Sequence, residues 1–163
     1  MLKIFNRKVT PVRKMLKLDI LPSFYKHKNL ESEELAIEEE SERGVIKRSS
    51  GWSESESDFF NRIVLSDYKW GGKTAEFFVY NVSERDVKDF VDEYYSVLGG
   101  DQNIELDFDG KDLKTIRKLE DSVVLRKWKL IDSNHDITIT MIVGKSEEDQ
   151  EFDICILVLH TFK

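Results

Sequence analysis

Phe152-Asp153-Ile154-Cys155-Ile156-Leu157-Val158-Leu159-His160-Thr161-Phe162 reads as a single β-strand. Ile154, Ile156, Val158 and His160 alternate with Cys155, Leu157 and Leu159, so both faces are apolar. A strand of that kind is usually interior to its sheet and covered on both sides. Two more β-rich runs precede it, Val123 to Leu130 and Ile137 to Val143. The polar stretches 132–136 and 144–151 between the runs read as turns. The last forty or so residues therefore predict an antiparallel meander, with 152–162 as an interior strand.

Further upstream, Ser83 and Asp86 form an S-x-x-D cap. Val87, Phe90, Val91, Tyr94, Tyr95 and Leu98 then recur at helical spacing, with Glu84, Arg85, Lys88, Asp89, Asp92 and Glu93 on the other side. Gly99-Gly100 supplies a left-handed stop. The spacing predicts a helix over 84–98, packed across one face of the sheet. Before it, an apolar run from Ile63 ends at Trp70, and Phe77, Phe78, Val79, Tyr80 and Val82 follow Gly71-Gly72, which predicts a β-hairpin. Ile104, Leu106 and Phe108 alternate with acids as a half-buried strand would, and Asp109-Gly110 reads as a turn. Residues 111–121 fit helix and strand equally. The expected class is α+β: an N-terminal hairpin and a C-terminal three-strand meander in an antiparallel sheet, with one main helix on a face.

Charge divides the remainder of the chain. Residues 1–30 carry eight Lys/Arg and one Asp, a balance of +7, although the 163-residue chain has a net charge of −7. Thr10-Pro11 followed by Val12, Met15, Leu16 and Ile20 predicts a short basic amphipathic helix, ended by Pro22. Its apolar stripe suits packing on the domain; the alternatives are a membrane surface and a partner's groove. Residues 29–58 are rich in Glu and Ser and poor in apolar residues, and read as an acidic linker with at most a helical turn or a strand at Val45-Ile46. The expected organisation is a basic arm at 1–28, a linker at 29–58 and a compact domain at 59–163. The start has no uninterrupted apolar run for a signal peptide, and Leu2 excludes N-myristoylation, so the expected compartment is the cytoplasm.

Motifs for chemistry are sparse. His27, His135 and His160 have no metal-ligand spacing, and a lone Cys155 between Ile154 and Ile156 reads as a buried, unreactive thiol. Glu105, Asp107, Asp109 and Gly110 resemble the first half of a calcium loop, but Ile116 falls where the bidentate acid belongs. Gly71-Gly72-Lys73-Thr74 lacks the leading spacing of a phosphate loop and precedes a strand rather than a helix. No cofactor is expected. The acidic body disfavours broad nucleic-acid binding and suits a basic protein partner. The expected function is a non-catalytic interaction module of the immunity, inhibitor or adaptor kind found in small acidic bacterial or phage proteins. Trp52, Tyr68, Trp70, Asp67 and Glu76 are its expected contact residues. The alternatives are a small enzyme using scattered carboxylates such as Glu105, Asp107 and Asp109, and a membrane-surface or assembly component held by residues 1–28.

Overall fold

A computed structural model describes residues 31–35, 44–52, 60–98, 113–131, 134–147 and 151–162. Seven strands form one antiparallel sheet: β1 (Glu31–Ser32), β2 (Val45–Trp52), β3 (Arg62–Tyr68), β4 (Lys73–Val82), β5 (Val123–Ile131), β6 (His135–Lys145) and β7 (Phe152–Phe162). Their spatial order is β1-β2-β3-β4-β7-β6-β5. Two meanders, β1–β4 and β5–β7, thus join where β4 pairs with β7. Helices α1 (Glu84–Leu98) and α2 (Leu113–Ile116) belong to the connection that carries the chain from β4 to the far edge at β5.

The α+β class, the hairpin, the meander, the interior position of 152–162 and the single main helix all stand as the sequence predicts. Helix α1 begins where its cap does: Ser83 Oγ accepts the Asp86 amide at 3.2 Å. That bond satisfies one of the amides a helix start leaves without an internal partner. Glu84 adds an i,i+4 ion pair to Lys88 and a second to Arg117, which follows α2. The stretch 111–121, ambiguous by pattern, contributes the one short turn of α2, with Leu113 and Ile116 fully buried. The strand expected at Ile104–Phe108 lies outside the described residues, as does the basic arm.

The hairpin turn shows why two glycines stand together. The Gly71 amide donates to the Tyr68 carbonyl at 2.9 Å, and Gly71 sits at φ 89°, a conformation that disfavours any side chain. A Cβ on Gly72 would fall 1.8 Å from the Trp70 ring. One glycine serves the backbone and the other makes room for the indole.

The core lies between the helices and one face of the sheet. Phe77, Ile156, Met141 and Trp128 come from β4, β7, β6 and β5, and Phe90 and Tyr94 come from α1. Tyr94 lies 5.3 Å from Trp128 and Tyr95 meets the same indole edge-on at 5.9 Å. Such contacts add about 0.5–1.5 kcal/mol each beyond area burial. Arg117 covers the Phe152 ring at 5.0 Å on the same side.

Two features differ from the sequence reading. The strand expected at Val45-Ile46 runs on to Trp52, and Glu31–Ser32 pairs outside it, so the sheet extends into the stretch read as linker. Strand β2 has few apolar side chains and is held by its backbone ladder to β3, which polar composition does not reveal. Strand β7 is also not covered alike on both sides. Phe152, Ile154, Ile156, Val158 and His160 are buried, whereas Cys155, Leu157 and Leu159 are only half-buried, and no described helix lies over them.

Candidate functional site

The sheet face opposite the helices, here the far face, is a grid set by strand register. One row runs Trp52–Arg62–Phe78–Cys155–Ile142–Val124 across six strands. The next runs Ser50–Val64–Glu76–Leu157–Thr140–Lys127, and a third runs Arg48–Ser66–Thr74–Leu159–Thr138–Lys129. Side chains paired in register share a face, and rows on one face lie about 7 Å apart. The far face is therefore largely apolar along its first row, Arg62 excepted, and down the β7 column, carries the buried Val45 and Val64 on its β2–β3 side, and is polar at β5, where Lys127 and Lys129 stand.

The first row ends in an aromatic cluster built around a cation. The Arg62 guanidinium lies 5.4 Å from the Trp52 ring and 5.8 Å from that of Phe78. Tyr80 stacks on Phe78 and tilts against Trp52, each at 6.0 Å between centroids. Glu33 pairs with Arg62 at 3.5 Å and accepts a hydrogen bond from Ser50 Oγ. Burial pushes the Tyr80 hydroxyl above its ordinary range, and its hydrogen bond with Arg62 opposes that rise. Trp52 itself is 65% exposed, so the cluster presents an indole to solvent on a braced base. Trp, Tyr and Arg are the residues that most often dominate interface energetics.

The expected contact residues divide between two places. Trp52, Tyr68 and Glu76 share the far face, but Trp52 and Tyr68 stand opposite Arg62-side and hairpin-side ends of β3, about 20 Å apart. Trp70 sits at the hairpin tip, 55% exposed, with its ring 5.3 Å from Tyr68. Asp67 points to the helix side and pairs with Lys73 at 2.6 Å. Arg62, Phe78 and Tyr80 were not singled out by sequence. Only register places them beside Trp52, because Arg62 and Phe78 follow it by 10 and 26 residues.

The far face is mixed in charge rather than acidic throughout. Glu76 and Asp153 flank Cys155 and Leu157, while Lys129 pairs with Asp136 at 3.6 Å on the β5 side. Burial, with the Glu76 carboxylate adding to it, pushes the Cys155 thiol up to about 12. It is a neutral thiol at physiological pH and a poor nucleophile. Lys73-Thr74 opens β4, so the GGKT letters mark a hairpin turn with no helix start to receive a phosphate. Among the described residues no group of three or more His, Cys, Asp and Glu is placed to hold a metal ion, and no helix is long and apolar enough to cross a membrane. Comparisons with protein-family models, curated proteins and solved structures find no match to the chain.

Proposed function

We propose that the chain is a non-catalytic interaction module that docks a basic protein partner on its far face. The observation that carries this reading is the exposed Trp52, braced by Arg62 and Tyr80, at the end of an apolar row. A partner seated there would cover the indole and the half-buried Phe78 and Cys155 while Glu76 and Asp153 meet its cations. Residues 31–163 carry a balance of −14 once the +7 of the first 30 residues is set aside, which favours encounter with a basic surface.

The test is affinity capture with the full chain, followed by identification of the retained proteins and repetition with Trp52→Ala and Glu76→Lys. One basic protein should be retained by the parent chain, lost with both variants, and kept with Lys118→Ala, an exposed control beyond α2. Equal retention by all four chains would refute the far face as the docking surface.

A further inference from the structure

We infer that a second copy of this chain docks on the far face, the two sheets lying face to face about a two-fold axis that runs between β7 and β6, parallel to the strands. On this face Glu76, Leu157, Thr140 and Lys127 stand in one row, on β4, β7, β6 and β5. The acid and the base thus flank the axis at equal distances, about 7 Å to either side at strand spacing. Rotation about the axis brings Glu76 of each copy over Lys127 of the other, so the pair is made twice. The row beside it, Phe78–Cys155–Ile142–Val124, is apolar. There Phe78 meets the second copy's Val124, and Cys155 meets its Ile142. In the third row Leu159 meets Thr138 and Thr74 meets Lys129. In all three rows the rotation sets no acid against an acid and no base against a base.

The dimensions suit such a pair. Strands β4, β7, β6 and β5 are overlain, a width of about 19 Å, and Asp153 to Thr161 run about 27 Å along β7. The projected area is about 500 Å² on each copy and about 1,000 Å² in all, where specific interfaces begin, before the relief of the side chains is counted. Packed sheets turn by about 30° relative to each other, which displaces groups about 7 Å from the axis by about 4 Å, within reach of a lysine side chain. Cys155, Leu157 and Leu159, half-buried in one chain, lose their remaining exposure. Trp52 and Arg62 lie on β2 and β3, beyond the second copy's β5, and stay in solvent. The surface overlaps that of the proposed partner at Phe78, Cys155 and Glu76, and β5 with Lys127 and Lys129 is the basic surface that the chain itself offers to Glu76. Self-association does not rest on a partner being found.

The test is sedimentation equilibrium of the full chain, as the parent and as Glu76→Lys and Lys127→Glu. The parent should be a dimer that dissociates on dilution. Each variant alone should dissociate at least about tenfold more readily, because the rotation then sets like charges together twice. Mixing the two variants should restore a dimer within about threefold of the parent, since one copy then offers two lysines and the other two glutamates. Trp52→Ala should leave the dimer unchanged. A second measurement needs no substitution: alkylation of Cys155 in the parent chain should slow as chain concentration rises. A parent that stays monomeric, a dimer indifferent to both charge reversals, a mixture no more associated than its components, or alkylation indifferent to concentration would overturn the inference. Loss of a captured partner with Trp52→Ala, from a parent chain that is monomeric, keeps the proposed function and discards the second copy.

Discussion

Two tryptophans of this chain should respond in opposite ways to the same truncation. Trp128 is 1% exposed and packs against Tyr94 and Tyr95 from α1, whereas Trp52 is 65% exposed and touches Arg62 and Tyr80. Trp128→Ala removes the largest buried side chain and leaves a cavity between β5 and α1, a change that costs about 3–5 kcal/mol. The two ring contacts place it in the upper half of that range. Against a domain stability of about 5–15 kcal/mol this is about a quarter of the total or more. The melting temperature should fall by about 8–20 °C. Trp52→Ala loses one exposed cation–π contact and one ring contact, about 1 kcal/mol together. Urea unfolding followed by far-ultraviolet circular dichroism measures both, with the slope checked for constancy. Capture of a partner should show the reverse order, lost with Trp52→Ala and retained by Trp128→Ala at temperatures where that variant stays folded. A Trp128→Ala cost below about 2 kcal/mol, or a larger cost for Trp52→Ala, would refute the seating of α1 on the sheet.

Ser83→Ala removes the α1 cap and should cost about 1 kcal/mol, read from the urea midpoint at constant slope. Gly71→Ala places a side chain at φ 89° and should destabilise more than Gly72→Ala, whose Cβ only has to push the mobile end of Trp70 off Tyr68. Indole fluorescence at the tip should shift for Gly72→Ala at nearly unchanged stability. Cys155 is held neutral in the fold with its thiol raised from 9.0 to about 12, so the unfolded chain ionises first. The stability this contributes is whole below pH 9 and is lost as the pH rises toward 12. Thermal melts of Cys155→Val across that interval should therefore fall less steeply than those of the parent chain.

The elements that pattern alone exposes are those whose side chains do the holding. Helix α1 shows its apolar stripe and its Ser83 cap within sixteen residues, and β7 shows its alternation over eleven. Strand β2 is legible only at Val45-Ile46, and its run to Trp52 is not, for the opposite reason. Lys47, Arg48, Ser49 and Ser50 fill its middle, and what fixes it is the ladder to β3 and the bond from the Lys69 amide to the Gly44 carbonyl. The far-face cluster is illegible in the same way. Trp52 stood out by type, but its neighbours Arg62 and Phe78 are defined by cross-strand register, and the bulges in β2 and β4 shift register by amounts that no periodicity shows. His160 illustrates the limit on the other side: alternation alone places it on the buried face, where it is fully enclosed.

How the sheet treats its edges bears on where a partner could attach. A strand added to an edge is one recurring way for a sheet to recruit an extended peptide. Among the described residues one edge is β1, two exposed residues long. The other is β5, nine residues long, but it carries Arg126, Lys127 and Lys129 and a register break between Val124 and Arg126. Charge, lysine and bulges on an edge are the usual means by which sheets resist pairing. The β5 edge is thus a poor template, while the far face keeps an apolar strip and an exposed, braced indole. The helix-side face is filled by Phe90, Tyr94, Leu113 and Ile116, so the docking proposed above is assigned to side chains of the far face.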